Sequence, residues 1–157
     1  MKMLDGYGEG PTNEVIDFTE KNLRVKFPQE FIDCISQCDR GVPEKPLVDL
    51  INPAKGSIKE VGIGAFLSFN PACDANILRE YFTLPDFFPK MLLPFAVTGG
   101  GDYFCFDYSI DGFEDKDPPV VYWFHENPEG ESIADIAITF KEFLKKLKPD
   151  PDASKYL

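Results

Sequence analysis

Histidine occurs once in this sequence, as His125, and that scarcity excludes chemistry that needs two imidazoles. A zinc site of the His-Glu-x-x-His type requires a second histidine one helical turn on. A serine nucleophile has no Gly-x-Ser-x-Gly elbow to sit on. No apolar run approaches the roughly 18 residues that span a membrane. The opening stretch Met1 to Gly8 lacks the apolar segment of a signal peptide, so a cytoplasmic location is expected. Cations are scarce as well, with 16 Lys and Arg against 27 Asp and Glu and a formal charge of −11. Such a surface repels phosphate backbones and anionic lipid, so neither nucleic acid nor membrane is an expected partner. The same field speeds encounter with a basic protein.

Cysteine is sparse and unframed. Cys34, Cys38, Cys73 and Cys105 sit in apolar surroundings with no paired spacing, as reduced thiols do. Cys34 and Cys38 lie one helical turn apart but lack a third and fourth ligand, which favours buried thiols over a metal site. No metal and no cofactor is therefore expected.

What the sequence has in quantity is apolar and aromatic residues. At 157 residues with 43% hydrophobic content and 15 Phe, it is long enough for one domain with a ring-rich core. Residues 1–12 are Gly-rich and polar and read as a flexible lead-in. From Asn13 the period is helical, with Val15, Phe18 and Asn22 on one stripe, Ile16 and Leu23 beside it, and Thr12 or Asn13 as N-cap. Pro28 opens a second helix, where Phe31, Ile32, Ile35 and Cys38 form the buried face and Gly41 with Pro43 ends it. Strands are expected at 47–51, 64–69, 92–98, 103–108 and 120–125, with a short helix over 74–82 and irregular chain from Thr83 to Lys90. Thr139 and Glu142 form a capping box before a helix whose apolar stripe is Phe140, Phe143, Leu144 and Leu147. Residues 149–157 read as a frayed tail.

Four of these pieces, in this order, resemble the SUKH superfamily of Smi/Knr-type cell-wall regulators and bacterial toxin-immunity proteins. They are Phe27-Pro28-Gln29-Glu30-Phe31, then Leu93-Pro94-Phe95-Ala96 leading into Gly99-Gly100-Gly101-Asp102-Tyr103-Phe104-Cys105-Phe106-Asp107, then Val120 to Glu126, and Thr139 to Leu144. The resemblance spans residues 13–148. It implies a single α+β domain, a mostly antiparallel twisted sheet with helices packed on one side. It also implies a binding role, typically occlusion of a secreted toxin domain, often a nuclease, and carries over no catalytic residue set. A regulatory scaffold is the alternative within the same class.

The three glycines are not a phosphate loop, because Asp102 stands where a Lys is needed and a strand follows where a helix should. They read as a tight turn. The candidate partner-binding residues are the acidic run Asp102, Asp107, Asp111, Glu114, Asp115, Asp117, Glu126, Glu129 and Glu131, with Tyr103 and Trp123 as aromatic anchors. A basic toxin domain would meet this surface through charge. Asp107 has a second reading, in which it fastens its strand to a neighbouring loop. The rival from another class is a small hydrolase or metal-dependent enzyme using His125 and nearby carboxylates.

Overall fold

The computed structural model describes residues 1–109 and 117–153. The acidic positions Asp111, Glu114 and Asp115 lie outside the described residues.

The chain begins with β1 (Met3–Leu4), α1 (Asn13–Leu23), α2 (Gln29–Ile35) and β2 (Val42–Pro43). A hairpin follows, β3 (Leu47–Asn52) and β4 (Ser57–Gly62), and then β5 (Ala65–Phe66) and α3 (Ile77–Phe82). The remainder is β6 (Leu92–Val97), β7 (Tyr103–Asp107), β8 (Val120–Trp123), β9 (Ile133–Ala137) and α4 (Phe140–Lys146). Strands β5 to β9 form one antiparallel sheet in sequence order; β3 pairs with β4, and β1 with β2. This is the expected α+β architecture. Meander connections suit it because antiparallel neighbours need only short links.

Local chemistry explains the helix ends. The Thr12 hydroxyl accepts the Val15 N–H at 3.3 Å, and Arg24 closes α1 in the left-handed region at φ 58°. The face α1 buries differs from the expected stripe. Ile16, Thr19, Glu20 and Leu23 turn inward, whereas Phe18 is 57% exposed. Two polar residues can go inside because both have partners. Glu20 Oε2 accepts the Phe27 N–H at 2.8 Å in the connecting turn, and the Thr19 hydroxyl donates to the Val15 carbonyl. Pro28 caps α2, which ends at Ile35, short of Cys38.

The lead-in is partly tied down: Met3 is buried, pairs with Pro43, and donates its N–H to Gln37 Oε1 at 2.9 Å. The strand expected over 64–69 shrinks to Ala65–Phe66. Strands β1, β2, β4 and β9 have no counterpart among the expected strands.

The sheet has two unlike faces. On one, Phe95, Phe104, Phe106 and Tyr122 pack with Phe31 of α2 and with Phe140 and Phe143 of α4, forming the main core. Helices α2 and α4 thus lie together on this side. The other face carries Tyr103, Cys105 and Asp107 from β7, Val121 and Trp123 from β8, and Ile133 and Asp135 from β9, since paired residues point the same way. A smaller cluster covers part of it, with Phe88 over Trp123 at 4.8 Å between ring centroids.

At α4 the Thr139 hydroxyl accepts the Glu142 N–H at 3.1 Å, while the Glu142 carboxylate takes Lys145 Nζ at the same distance. One half of the capping box is therefore made. Thr139→Ala is expected to destabilise the domain by about 1 kcal/mol, read as a lower urea midpoint at unchanged m-value. No helix among the described residues is long and apolar enough to cross a membrane.

Candidate functional site

The glycine run does turn the chain from β6 to β7. Thr98 N–H donates to the Asp102 carbonyl at 3.2 Å, the Asp102 N–H donates back to the Thr98 hydroxyl at 3.2 Å, and Gly101 takes φ 95°, which its lack of a Cβ permits. The turn aims Asp102 inward.

Asp102 is only 9% exposed, and its carboxylate accepts three bonds. Oδ2 receives the Tyr122 hydroxyl at 2.7 Å; Oδ1 receives the His125 backbone N–H at 2.9 Å and the His125 ring at 2.6 Å. A carboxylate only accepts, so Nδ1 carries the ring proton here. The far nitrogen, Nε2, faces Glu126 Oε1 at 3.6 Å. His125 is thus held by one carboxylate, Asp102, through both its backbone N–H and its ring, while the Glu126 side chain is exposed and makes no hydrogen bond to it. Among the described residues no group of three or more His, Cys, Asp and Glu is placed to hold a metal ion.

Two expected surface residues are corrected by these contacts. Asp102 is a buried acceptor that ties β7 to the end of β8, because three donors converge where it enters the fold. Trp123 is not an exposed anchor. It is 7% exposed, stacked on Tyr103 at 5.9 Å and covered by Phe88. Tyr103 is half-buried, and its hydroxyl donates to Glu80 Oε2 on α3 at 2.8 Å. Asp107 fastens its strand to the following loop, as its second reading has it, by accepting the Ser109 N–H at 2.9 Å and the Ser109 hydroxyl. Asp117, Glu126, Glu129 and Glu131 are exposed.

Of these exposed members, Glu129 lines a cleft beside β9. At one end of β9 a cleft of about 240 Å³ has Phe87, Pro89, Trp123 and Ile133 as apolar walls, with His125 and Glu129 as polar ones. Phe87 is 73% exposed and Ile133 37%. At the other end a second cleft, of about 540 Å³, is bounded by Asp107, Asp135, Glu142, Pro119 and Ile138. Its one cation, Lys146, is turned onto the Ile136 carbonyl at 2.5 Å. Asp135, Phe87 and Ile133 were missed by sequence reasoning. The signal for β9 was the run Ile133-Ala134-Asp135-Ile136-Ala137 just ahead of the capping box.

Burial raises the ionisation of several of these groups. Tyr122 is held protonated chiefly by burial and then by its bond to Asp102; Tyr103 by burial and then by Glu80; Tyr108 by burial. Burial also lifts the Cys34 thiol to about 11, and the Cys105 thiol well above its ordinary value. A raised pKa means that the unfolded chain releases the proton first. The stabilisation is complete below the unfolded values, about 8.5 for Cys and 10 for Tyr, and is lost as pH rises through the folded ones. The urea midpoint is therefore expected to hold at pH 8 and fall steadily above pH 9. Tyr122→Phe should flatten the part of that fall above pH 10.

The family model described as SMI1 / KNR4 family (SUKH-1) matches residues 10–146. The chain belongs to this family. The match runs from the loop before α1 to the last residue of α4, so the SUKH-1 domain includes both clefts and the Asp102 node. No curated protein and no solved structure matches the chain. Family membership fits immunity roles and Smi1/Knr4-type regulatory roles in general.

Proposed function

We propose that this SUKH-1 chain is a non-enzymatic, cytoplasmic immunity protein that binds a basic toxin domain and occludes it. The observation that carries this reading is the flank along β9, where the exposed carboxylates Glu129 and Asp135 line clefts that also hold the exposed apolar residues Phe87, Ile133 and Ile138. Apolar surface rimmed by charge suits a protein interface, and a single-sign rim selects a partner of opposite sign. The one imidazole in the sequence is bonded to Asp102, an arrangement that ties the end of β8 to the glycine turn and supports a structural role for it.

Co-expression with a toxin-like reading frame, once one is identified beside its gene, tests the proposal. The wild-type chain is expected to restore growth. The triple variant Glu126→Lys, Glu129→Lys, Asp135→Lys is expected to lose protection by at least tenfold in surviving cells while keeping its urea midpoint. His125→Ala, which removes the imidazole, should protect as the wild type does wherever it remains folded. A wild-type chain that gives no protection overturns the immunity reading; full protection by the triple variant removes this flank from it.

A further inference from the structure

The cleft beside Trp123 presents hydrogen-bond acceptors that the fold leaves unused. His125 lines it with Nδ1 spent on Asp102, and the remaining ring nitrogen, Nε2, makes no hydrogen bond among the described residues. With the ring proton on Nδ1, Nε2 is an acceptor. Asn127 lines the cleft as well. Its amide nitrogen donates to Asn52 Oδ1 and to the Glu131 carbonyl, both at 2.9 Å, so both amine hydrogens are used. Its Oδ1 is left as a second acceptor, bonded to nothing among the described residues. Glu129 is the third, exposed and in no described ion pair.

The other walls are flat and apolar. Trp123 forms one, and Phe87 another with its ring 73% exposed, although the neighbouring Phe88 is drawn in over the indole. No Lys or Arg among the described residues lines the cleft, so Glu129 sets its charge. At about 240 Å³ the cleft falls below the roughly 300–1,000 Å³ of small-molecule pockets and has the size of a side chain.

Unused acceptors call for donors, a single carboxylate for one positive charge, and ring walls for a flat group. A guanidinium meets all three conditions, being planar, always charged, rich in N–H donors and able to stack on aromatic faces. An ammonium is compact, strongly hydrated and unable to lie flat on a ring. A neutral amide leaves Glu129 without a counter-charge, and an anion would be repelled by it. We infer that this cleft seats one arginine side chain of the protein partner, with Phe87 and Trp123 against its plane and Glu129, Asn127 Oδ1 and His125 Nε2 accepting from its N–H groups. That the arginine belongs to a protein rests on the immunity reading; its chemistry follows from the cleft.

Trp123 is the only tryptophan in the chain, so its indole N–H gives a single resonance in a proton–nitrogen NMR spectrum and reports on the cleft wall. The probe is the capped peptide Gly-Ser-Arg-Ser-Gly, titrated at low ionic strength and mildly alkaline pH. It is expected to shift that resonance saturably and to bind at least threefold more tightly than its lysine counterpart. The citrulline counterpart, which keeps the shape and loses the charge, should bind at least tenfold more weakly. Glu129→Gln should weaken binding about tenfold and Phe87→Ala about threefold, whereas Asp17→Asn on α1 should not. The His125 Nε2 nitrogen shift should move on saturation, which general charge attraction would not cause. Equal binding of arginine and lysine, indifference to Glu129→Gln, or an unmoved Trp123 resonance overturns the inference. Tighter binding of free arginine than of the peptide also overturns it, by making the cleft an amino-acid pocket. Failure of the peptide alongside continued toxin neutralisation sinks the arginine and leaves the immunity reading standing. Peptide binding as described without neutralisation does the reverse.

Discussion

Phe31→Ala is expected to bring this domain close to unfolding, with a loss of about 4 kcal/mol. Phe31 is fully buried, and its ring lies 5.1–6.2 Å from those of Phe27, Phe66, Phe69, Phe95, Phe106 and Phe140. It is the point at which α2, α4, the Val25–Phe27 turn and the sheet all meet. Truncating a buried Phe costs about 3–5 kcal/mol, from lost transfer energy plus the cavity left behind. The upper half of that range applies because stiff rings around the hole cannot fold into it, and each lost aromatic pair adds about 0.5–1.5 kcal/mol. Against the roughly 5–15 kcal/mol of an ordinary domain, that is a large share. The urea midpoint should fall steeply at unchanged m-value, and Phe31→Leu should cost no more than about 1.5 kcal/mol. A drop below about 2 kcal/mol for the alanine variant would show that the ring cluster is not the centre of the core.

Residues with local rules behind them were legible in the sequence. Thr12 and Thr139 as caps, the period-2 strands at 103–108 and 120–125, and the glycine turn before Asp102 each follow from a few neighbouring side chains. The family's motifs then supplied the order of the pieces and hence the fold class. What stayed hidden depends on contacts distant in sequence. Strand β4 exposes Ser57 to Glu60 and buries only Val61, so no alternation marks it. Strand β9 is apolar or small at four of its five positions, which erases the alternation that its buried Ala134 and Ile136 would show. Alternation along 120–125 puts Trp123 opposite the core-facing Tyr122, but nothing local announces Phe88, which comes from a stretch without period and covers the indole.

The candidate site divides the same way. An acidic run reads as one surface, yet successive members are sent to different places. Asp102 goes inside, Asp107 back to Ser109, and Glu126 and Glu129 to the flank. The residue that completes the acidic cleft, Asp135, comes from the strand that was not seen. Charge composition thus underlies the sign proposed for the partner, while the proposed flank emerges only from the pairing of β8 with β9.

Asp102→Ala is expected to destabilise the fold by about 3 kcal/mol, more than its single carboxylate suggests. Three donors lose their acceptor at once: the Tyr122 hydroxyl, the His125 N–H and the imidazole Nδ1–H. Leaving a buried donor unpaired costs about 1–3 kcal/mol, and removing one member of a buried charged network about 3–5 kcal/mol. The lower part of the second range applies because the His125 side chain is 39% exposed and water can reach it. Asp102→Asn keeps one oxygen but turns an amine toward a donor, so it should fall between wild type and alanine. Tyr122→Phe should cost about 1 kcal/mol, since it removes one donor and leaves the Asp102 carboxylate with the two from His125. In the double variant Asp102→Ala, Tyr122→Phe the losses should be less than additive by about 1 kcal/mol, because the unpaired hydroxyl is gone. Full additivity would mean that the two groups do not share one network. The node also sets where His125 stands in the wall of the apolar cleft, so Asp102→Ala should broaden Trp123 emission even in the folded state, with no change expected at Cys34 on the opposite side of the sheet.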